Sequence, residues 1–284
     1  DPAKLAYWLP VDWYNGGMEH VTRHLIYSRF WHKFLYDIGV VPTDEPYAKR
    51  TAQGLILGPD GQKMSKSRGN VVDPNDVVDE FGADTLRVYI LFMGDYGSAA
   101  PWSESSMRGC KRFLERVAAL PEKAKGHGVT PSLEAAFHRT VKKVSSDIEE
   151  MKFNTAIAAM MSLLNDIEAA GTLTLDELSV LVRLLCPFAP HLCEEIYEKI
   201  GGKGFCSLSP WPVYDESKTV SDTVEIALQL NGKLRGVIKV AKNATREELL
   251  EAAKADERMA AALAGKTVLK EIVVPGRIVN LVVR

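Results

Sequence analysis

Four stretches between residues 103 and 200 carry apolar residues at steps of three and four, and this periodicity constrains the fold more than any other feature. Such spacing gives each helix one apolar face, which must be buried against neighbouring helices. Proline and glycine residues separate the stretches, so the sequence predicts an antiparallel bundle. Pro187 and Pro190 are expected to bend or split the last helix. The predicted helices are Glu104–Ala119, Leu133–Met151, Thr155–Ala169 and Leu175–Ile200.

The residues before this bundle mix short apolar runs with glycine and proline turns, which is typical of α/β structure. Leu5–Tyr14 is predicted to be a strand that leads into Gly16 and Gly17, and Glu19–Asp37 is predicted to be a helix. Further predicted elements are a short strand at Gly54–Leu57, a turn at Pro59–Gly61, a helix capped by Asp73 and a helix that follows Gly82.

The last part of the sequence changes to a strand–strand–helix–strand–strand pattern, after a stretch at 201–222 that is rich in glycine and proline and is predicted to be a linker. Asn231-Gly232 between two apolar runs is a strong hairpin signal. Thr245 and Glu248 have the spacing of a capping box. Residues 223–284 carry 11 basic and 7 acidic side chains, whereas the rest of the chain is net negative. This basic end is a modest indication of nucleic-acid contact.

Composition excludes several classes of protein. With 46% hydrophobic and 25% charged residues, the chain is not of the disordered type. No apolar run reaches the roughly 18 residues of a membrane span. No initiator methionine or apolar signal segment is present, so we expect a piece of a cytosolic protein. The four cysteines fit no zinc spacing, so free thiols and no structural metal are predicted.

The sharpest chemical signal is Lys63-Met64-Ser65-Lys66-Ser67, which follows a predicted strand and a glycine turn. Two ammonium groups on one mobile loop suit a triphosphate, because they can stabilise the negative charge of departing pyrophosphate. Judged on these residues alone, a solvated basic loop is an equally good interpretation.

A second candidate site is the turn Gly16-Gly17 followed by His20 and His24. Two glycines allow the backbone to approach a ligand closely, and the following helix directs its positive end there. The two histidines are four residues apart and would share one helical face. Half of a metal site and a packed, hydrogen-bonded pair are the alternatives, and no third ligand is apparent.

Lys63–Ser67, KMSKS in one-letter code, resembles the second signature of the class I aminoacyl-tRNA synthetases. Four further segments resemble that family in the same order: Arg68–Pro74, Phe81–Arg87, Phe153–Ile157 and Pro187–His191. The likeness covers about residues 10–212. It implies the second half of a Rossmann-like α/β catalytic domain with the KMSKS loop, then an α-helical bundle of the class Ia anticodon-binding type, then a small α/β C-terminal domain.

The implied boundaries are 1–70 for the catalytic half, 71–102 for a connecting helical segment that contacts the tRNA stem, 103–222 for the bundle with its linker, and 223–284 for the C-terminal domain. Asp12–His20, followed by His24, Leu25, Tyr27, Arg29 and Phe30, resembles the leucyl-tRNA synthetases of bacterial type more narrowly.

The resemblance assigns roles to individual residues. Lys63 and Lys66 are expected to be catalytic, by stabilising pyrophosphate. The amino-acid end of the site is assigned to Glu19 and His20. The remaining expected ligand contacts are Gly16, Gly17, His24, Met64, Ser65 and Ser67 with ATP, and Lys233, Arg235, Lys239 and Lys242 with the phosphates of tRNA.

The implied activity is ATP-dependent activation of leucine and its transfer to tRNA(Leu), with Mg²⁺ accompanying ATP. A monomeric, cytoplasmic enzyme without a membrane partner is expected. The first signature of the family, His-x-Gly-His, does not occur among the 284 residues, so this chain alone is expected to be inactive. Two alternatives stay open: a non-catalytic tRNA-binding module, and part of a valyl- or isoleucyl-type synthetase.

Overall fold

The computed structural model describes residues 1–220 and 223–284. The chain divides into two compact units, Asp1–Val213 and Tyr214–Arg284. Each unit contains a separate hydrophobic core, so each is described by itself. The fourfold division with boundaries at 70, 102 and 222 stays a prediction.

Short elements make up the first part of the first unit. Residues 2–8 form a helix because Asp1 caps its first turn and Pro2 fits the first helical position. The strand predicted over Leu5–Tyr14 is therefore wrong. Tyr14–Gly17 pairs with Arg50–Gln53, and Ile56–Leu57 pairs with Ala100–Pro101; both pairs are parallel. The elements are α1 (Pro2–Trp8), β1 (Tyr14–Gly17), α2 (His24–Asp37), β2 (Arg50–Gln53), β3 (Ile56–Leu57), α3 (Pro74–Phe81), α4 (Ala83–Phe92) and β4 (Ala100–Pro101).

The helices that follow form the predicted bundle around one large core, to which Val77, Val88 and Tyr89 of α3 and α4 also contribute. The predicted last helix is indeed split, because one helix ends at Leu185 and the next begins at Pro190. The bundle helices are α5 (Glu104–Ala118), α6 (Glu134–Glu149), α7 (Phe153–Ala170), α8 (Leu175–Leu185) and α9 (Pro190–Lys199).

Residues 201–213, the first part of the predicted linker, lie within the first unit. Cys206 is buried in the bundle core. The Glu194 carboxylate of α9 accepts hydrogen bonds from the backbone N–H groups of Cys206 (2.6 Å) and Ser207 (2.9 Å). This segment is therefore held against the bundle by burial and by charge-assisted hydrogen bonds.

The second unit contains a four-stranded sheet, whose strands lie side by side in the order Lys233–Ala241, Thr223–Leu230, Ile278–Val283 and Val268–Val274. The two central strands are parallel to each other, and the other neighbouring pairs are antiparallel. Asn231 (φ 49°) and Gly232 (φ 78°) form the predicted hairpin turn. One helix was predicted, but Asp256 caps a second one. The elements are β5 (Thr223–Leu230), β6 (Lys233–Ala241), α10 (Arg246–Ala255), α11 (Glu257–Leu263), β7 (Val268–Val274) and β8 (Ile278–Val283).

All four cysteines are buried free thiols, as the sequence indicated. Burial raises the pKa of Cys110 to about 11 and that of Cys206 to about 12. Within residues 1–220 and 223–284, no group of three or more His, Cys, Asp or Glu side chains is arranged to hold a metal ion. In the same residues, no helix is long and apolar enough to cross a membrane.

Burial predicts that these thiols are chemically inert in the folded chain. At about pH 8 a normal thiol is partly ionised, whereas groups with these raised pKa values stay protonated and shielded. Alkylation with iodoacetamide, followed by mass spectrometry, should label none of the four in the native chain and all four after unfolding in urea. Native labelling of Cys110 or Cys206 at the rate of an exposed cysteine would contradict the described packing.

Candidate functional site

The loop that carries Lys63 and Lys66 begins at the end of β3 and closes on itself. The Gly58 N–H donates to the Gln62 carbonyl at 2.8 Å, and Lys63 forms an antiparallel bridge with Leu57. Residues 59–61 form the turn that was predicted there. Lys66–Arg68 then form one turn of 3₁₀ helix. The two lysines therefore lie on a short, folded loop that follows β3.

Asn70 fastens the two sides of this loop together. Its Oδ1 accepts from the Ser65 N–H at 2.8 Å, and its Nδ2 donates to both Asp60 carboxylate oxygens at 3.2 Å. Hydrogen bonds from the Gln62 N–H and from Asn70 hold the pKa of Asp60 below its ordinary value. The Asp60 carboxylate is therefore bound by the Asn70 amide within the loop, and it forms no ion pair with Lys63 or Lys66.

Both lysine side chains point into solvent. Lys63 and Lys66 are exposed, and neither forms an ion pair with any part of the chain that the structure describes. The Ser65 and Ser67 hydroxyls are 2.8 Å apart and hydrogen-bonded to each other. The loop thus presents two uncompensated ammonium groups beside two hydroxyls, a donor set suited to phosphate oxygens.

Gly16 and Gly17, which were predicted to form a turn, are the last two residues of strand β1, where Gly16 lies opposite Ala52 and Gly17 opposite Gln53; the chain turns directly after them. A methyl group added at Gly16 would meet nothing within 4 Å, so open space adjoins the backbone there. At Gly17 the same methyl would lie 2.2 Å from Glu19 Oε2. Glu19 thus folds back over Gly17, and only a glycine permits that approach.

The helix predicted over Glu19–Asp37 is interrupted, so the expectation that His20 and His24 share one helical face is wrong. Met18–His20 form a 3₁₀ turn, and α2 begins only at His24. The two imidazole rings nevertheless lie edge to face, 6.1 Å apart between centroids. The two rings are therefore brought together by the bend at residues 21–23 and not by a regular helical repeat.

His24 is held in place by an aromatic cluster. Its Nε2 is hydrogen-bonded to the Tyr14 hydroxyl at 2.6 Å, and Tyr14 stacks on Tyr47 with ring centroids 4.2 Å apart. Further along α2, Arg29 Nε donates to Glu45 Oε2 at 2.8 Å and Lys33 Nζ lies 2.9 Å from Glu45 Oε1. Hydrogen bonds from Arg29 and Lys33 lower the pKa of Glu45 to about 2. The helix that starts at His24 is therefore tied to the 44–47 segment.

Arg50 is the site residue that sequence reasoning missed. Its Nη2 donates to the carbonyl of Gly17 at 3.0 Å and to that of Gly16 at 3.4 Å. Its Nε is buried and has no hydrogen-bond partner in the described residues. A lone arginine at the start of a strand belongs to no motif, and only the parallel register Tyr14–Arg50 places it beside the two glycines.

Large apolar side chains are unusually exposed along α1 and α2. The exposed fractions reach 78% for Tyr7, 74% for Tyr27 and 74% for Phe30. Exposed aromatic clusters of this size mark contact surfaces in folded proteins. The helices α1 and α2, which precede and follow β1 in the chain, therefore carry exposed apolar side chains of the kind found at contact surfaces.

The four cations predicted to contact tRNA lie in the second unit. Lys233, Arg235 and Lys239 are exposed on β6, and Lys242 follows the end of that strand. A β-bulge interrupts the alternation of side chains between them, because Leu234 lies opposite Gln229 and Gly236 opposite Leu228, which leaves Arg235 without a pairing partner. Lys239 also lies 3.9 Å from Glu225 of β5. The structure groups these residues on one edge strand of the sheet.

The predicted residues thus form three groups. Gly16, Gly17, Glu19, His20 and His24 lie together around the β1–α2 connection. The five residues Lys63–Ser67 share one closed loop, and the hydrogen bonds that shape it come from within residues 57–70. The cations of β6 belong to the other unit and are considered separately.

Two family models match the chain. One, tRNA synthetases class I (I, L, M and V), matches residues 8–103, and the other, the anticodon-binding domain of tRNA ligase, matches residues 132–251. The second match extends across the boundary between the two units. These matches, together with the mixed helix and sheet just described, show that residues 8–103 are similar to class I tRNA synthetases and residues 132–251 to the anticodon-binding domain of tRNA ligases.

Within that class the whole chain is similar to leucine–tRNA ligases. It is 51% identical to that of Alkaliphilus oremlandii over 99% of this chain and 47% identical to that of Bdellovibrio bacteriovorus over 100% of it. The ternary complex of Agrobacterium radiobacter K84 agnB2 LeuRS with tRNA and LeuAMS is 34% identical, has a TM-score of 0.67, and matches 97% of this chain and 38% of that one.

Mycobacterium tuberculosis methionyl-tRNA synthetase in complex with methionyl-adenylate shares the fold, with a TM-score of 0.55 at 19% identity, over 69% of this chain and 45% of that chain. The chain spans about a third of the length of the two curated ligases, 35% and 36% respectively.

The close approach at Gly17 predicts how the Gly-Gly turn responds to mutation. Gly17→Ala should rotate Glu19 away from the turn with little loss of stability, because the crowded atoms are the far end of a flexible, exposed side chain. The change in the free energy of unfolding should stay below about 1 kcal/mol. Crystal structures and thermal melts of the variant measure both effects.

Gly16→Ala is the matched control, since its new methyl group meets nothing within 4 Å. Glu19 should keep its position in that variant. An unmoved Glu19 in Gly17→Ala, or an equal displacement in both variants, would contradict the described packing.

Proposed function

We propose that this chain is the part of a leucine–tRNA ligase that handles the phosphates of ATP and binds tRNA(Leu). The observation that carries the proposal is the 58–70 loop, whose Lys63 and Lys66 are exposed and form no ion pair with the described residues, in a chain 47–51% identical to leucine–tRNA ligases throughout. The finer architecture belongs to the same proposal: residues 1–70 as the second half of a Rossmann-like catalytic domain with its KMSKS loop.

The residues around the loop fit ATP. In the proposed reaction the leucine carboxylate attacks the α-phosphorus of ATP, and pyrophosphate leaves with the electrons of the broken P–O bond. Lys63 and Lys66 would stabilise the charge that develops on pyrophosphate, with Met64, Ser65 and Ser67 lining the same loop. Gly16, Gly17 and His24 would contact the adenosine part, where open space adjoins Gly16.

Mg²⁺ is expected to arrive with ATP, bound by its phosphate oxygens. In many nucleotide sites Mg²⁺ is held mainly by substrate phosphates, with only one or two protein carboxylates. Bound Mg²⁺ would neutralise phosphate charge.

The amino-acid end of the site is assigned to Glu19 and His20. Glu19 lies over Gly17, and Arg50 donates hydrogen bonds to the Gly16 and Gly17 carbonyls. The Glu19 carboxylate is exposed and suits the leucine ammonium group. The bundle and the β6 cations would then hold tRNA(Leu), chiefly through phosphates.

A second candidate function is tRNA binding without catalysis by this chain. The observation in its favour is that no His-x-Gly-His tetrapeptide occurs in the sequence, and that aromatic side chains of α1 and α2 are exposed. ATP–pyrophosphate exchange by the chain alone, and by a chimera with the complementary part of the Alkaliphilus oremlandii ligase, separates the two.

In that chimera, Lys66→Ala should slow leucine-dependent exchange while leaving leucine affinity nearly unchanged. The lysine charge is needed mainly as pyrophosphate departs, so its loss appears in the rate and not in ground-state binding. Loss of one such group costs about 2.7–4 kcal/mol, or roughly a hundredfold to a thousandfold in rate.

Lys203→Ala is the control, because Lys203 is another exposed lysine of the first unit with no ion pair in the described residues. Exchange should be normal in that variant and absent from the 284-residue chain alone. A normal rate in Lys66→Ala would reduce the loop to surface charge, and exchange with valine or isoleucine but not leucine would redirect the substrate assignment.

The β6 cations predict a change in the salt dependence of tRNA binding. The double variant Lys233→Ala/Arg235→Ala should bind tRNA(Leu) more weakly. The slope of log K against log salt, which is negative, should become shallower by about 0.9 for each phosphate that is no longer neutralised. Lys270→Ala, on β7 at the opposite edge of the same sheet, should leave the slope unchanged. Filter binding over a salt series measures both, and identical slopes in all variants would exclude β6 from the tRNA interface.

A further inference from the structure

A cleft of about 350 Å³ in the first unit is used by none of the groups described so far. It lies between the α8–α9 turn and the 206–211 segment. Arg87 of α4, Arg183 of α8 and Trp211 line it, with Ser207 and Ser209 and several apolar atoms. Its volume falls within the range of small-molecule sites, toward the lower end.

Backbone carbonyls fix both arginines in place. Arg87 Nη2 donates to the Pro187 carbonyl at 2.9 Å and Arg87 Nε to the Phe188 carbonyl at 3.2 Å. Arg183 Nε donates to the Ser179 carbonyl at 3.1 Å and Arg183 Nη1 to the Pro210 carbonyl at 3.0 Å. A guanidinium carries five N–H donors, so each retains donors beyond those used here.

No acidic side chain lines the cleft among the residues that the structure describes. The nearby Glu194 carboxylate is engaged by the N–H groups of Cys206 and Ser207. Within the described residues neither Arg87 nor Arg183 forms an ion pair. Two pre-oriented guanidinium groups that form no ion pair in the described residues favour an anionic ligand, and the planar guanidinium matches phosphate oxygens in pairs.

Trp211 supplies the other half of a recognition surface. Its indole is 39% exposed, and its Nε1–H donates to the Ser145 hydroxyl at 2.8 Å, which fixes the ring orientation. A fixed, partly exposed indole is a platform on which a nucleobase can stack. The cleft thus combines cations for a phosphate with an aromatic surface for a base.

We propose that this cleft binds one nucleotide of tRNA, with its phosphate on Arg87 and Arg183 and its base against Trp211. The inference rests on the proposed tRNA binding and adds a site to it within the bundle unit. RNA nucleotides that are unstacked are recognised by this pairing of arginine and aromatic side chains. A purely structural role for the arginines, as ties to three main-chain segments, is the competing explanation.

Fluorine NMR of the 284-residue chain labelled with 5-fluorotryptophan tests the site directly. The five tryptophans give five signals, and Trp211→Phe identifies the one from Trp211. Titration with AMP, and separately with tRNA(Leu), should shift the Trp211 signal. Arg183→Gln should remove the AMP response, whereas Arg116→Gln, an arginine paired with Glu168 outside the cleft, should not.

Affinity for tRNA provides a second readout. Arg183→Gln should weaken tRNA binding about tenfold and make the slope of log K against log salt shallower by about one. Arg183→Lys should keep the slope, because the charge is retained. Trp211→Leu should weaken binding, and Trp211→Phe should restore most of it. Thermal melts confirm that each variant is folded, which distinguishes a weakened binding site from an unfolded chain.

The outcomes discriminate between the two proposals. A Trp211 signal that AMP leaves unmoved overturns the cleft as a nucleotide site, whatever the chain's affinity for tRNA. A response to AMP without a response to bound tRNA would overturn the assignment to RNA and identify a free-nucleotide site. Normal tRNA binding by Arg183→Gln would also end the inference and leave tRNA binding by the chain intact. Failure of the chain to bind tRNA at all would contradict the proposed function and the RNA assignment together.

Discussion

The first unit depends on a junction between α4 and the turn that joins α8 to α9. The Asp84 carboxylate accepts from His191 Nδ1 at 2.8 Å and from the Leu192 N–H at 2.8 Å, which satisfies donors at the start of α9. Three residues along α4, Arg87 donates to the carbonyls at the end of the preceding turn. Charge-assisted hydrogen bonds contribute about 1.5–3 kcal/mol each, so this junction is a substantial tie. It joins segments about 100 residues apart and sets where the loops before α4 lie relative to the bundle.

The rigid and the adaptable parts of the first unit differ in the interactions that hold them. The bundle buries a continuous apolar core, so its helices have little freedom to move independently. The lysine loop is instead shaped by a few polar contacts around Asn70 and Asp60, and its cations face solvent. A scaffold that holds a weakly anchored, charged loop is what a reaction with a departing anion requires.

Local chemistry explains which sequence predictions were confirmed. The Asn231-Gly232 hairpin, the Thr245–Glu248 capping box and the split at Pro187–Pro190 each depend on residues close together in the chain. The strand predicted over Leu5–Tyr14 failed for a local reason, because Asp1 and Pro2 start a helix. The helix over Glu19–Asp37 failed for another reason. Apolar spacing predicts a helical face but does not detect the break at residues 21–23.

The sequence by itself determined the helical bundle, the terminal hairpin and the two candidate segments at Gly16–His24 and Lys63–Ser67, because periodicity, turn residues and short motifs act over a few neighbouring positions. Only the tertiary structure decided that Arg50 lies beside the Gly-Gly turn, that Asp84 caps α9, and that Arg87, Arg183 and Trp211 line one cleft. Those contacts join residues tens of positions apart through strand register and helix packing, and no local pattern in the sequence encodes which distant partners meet.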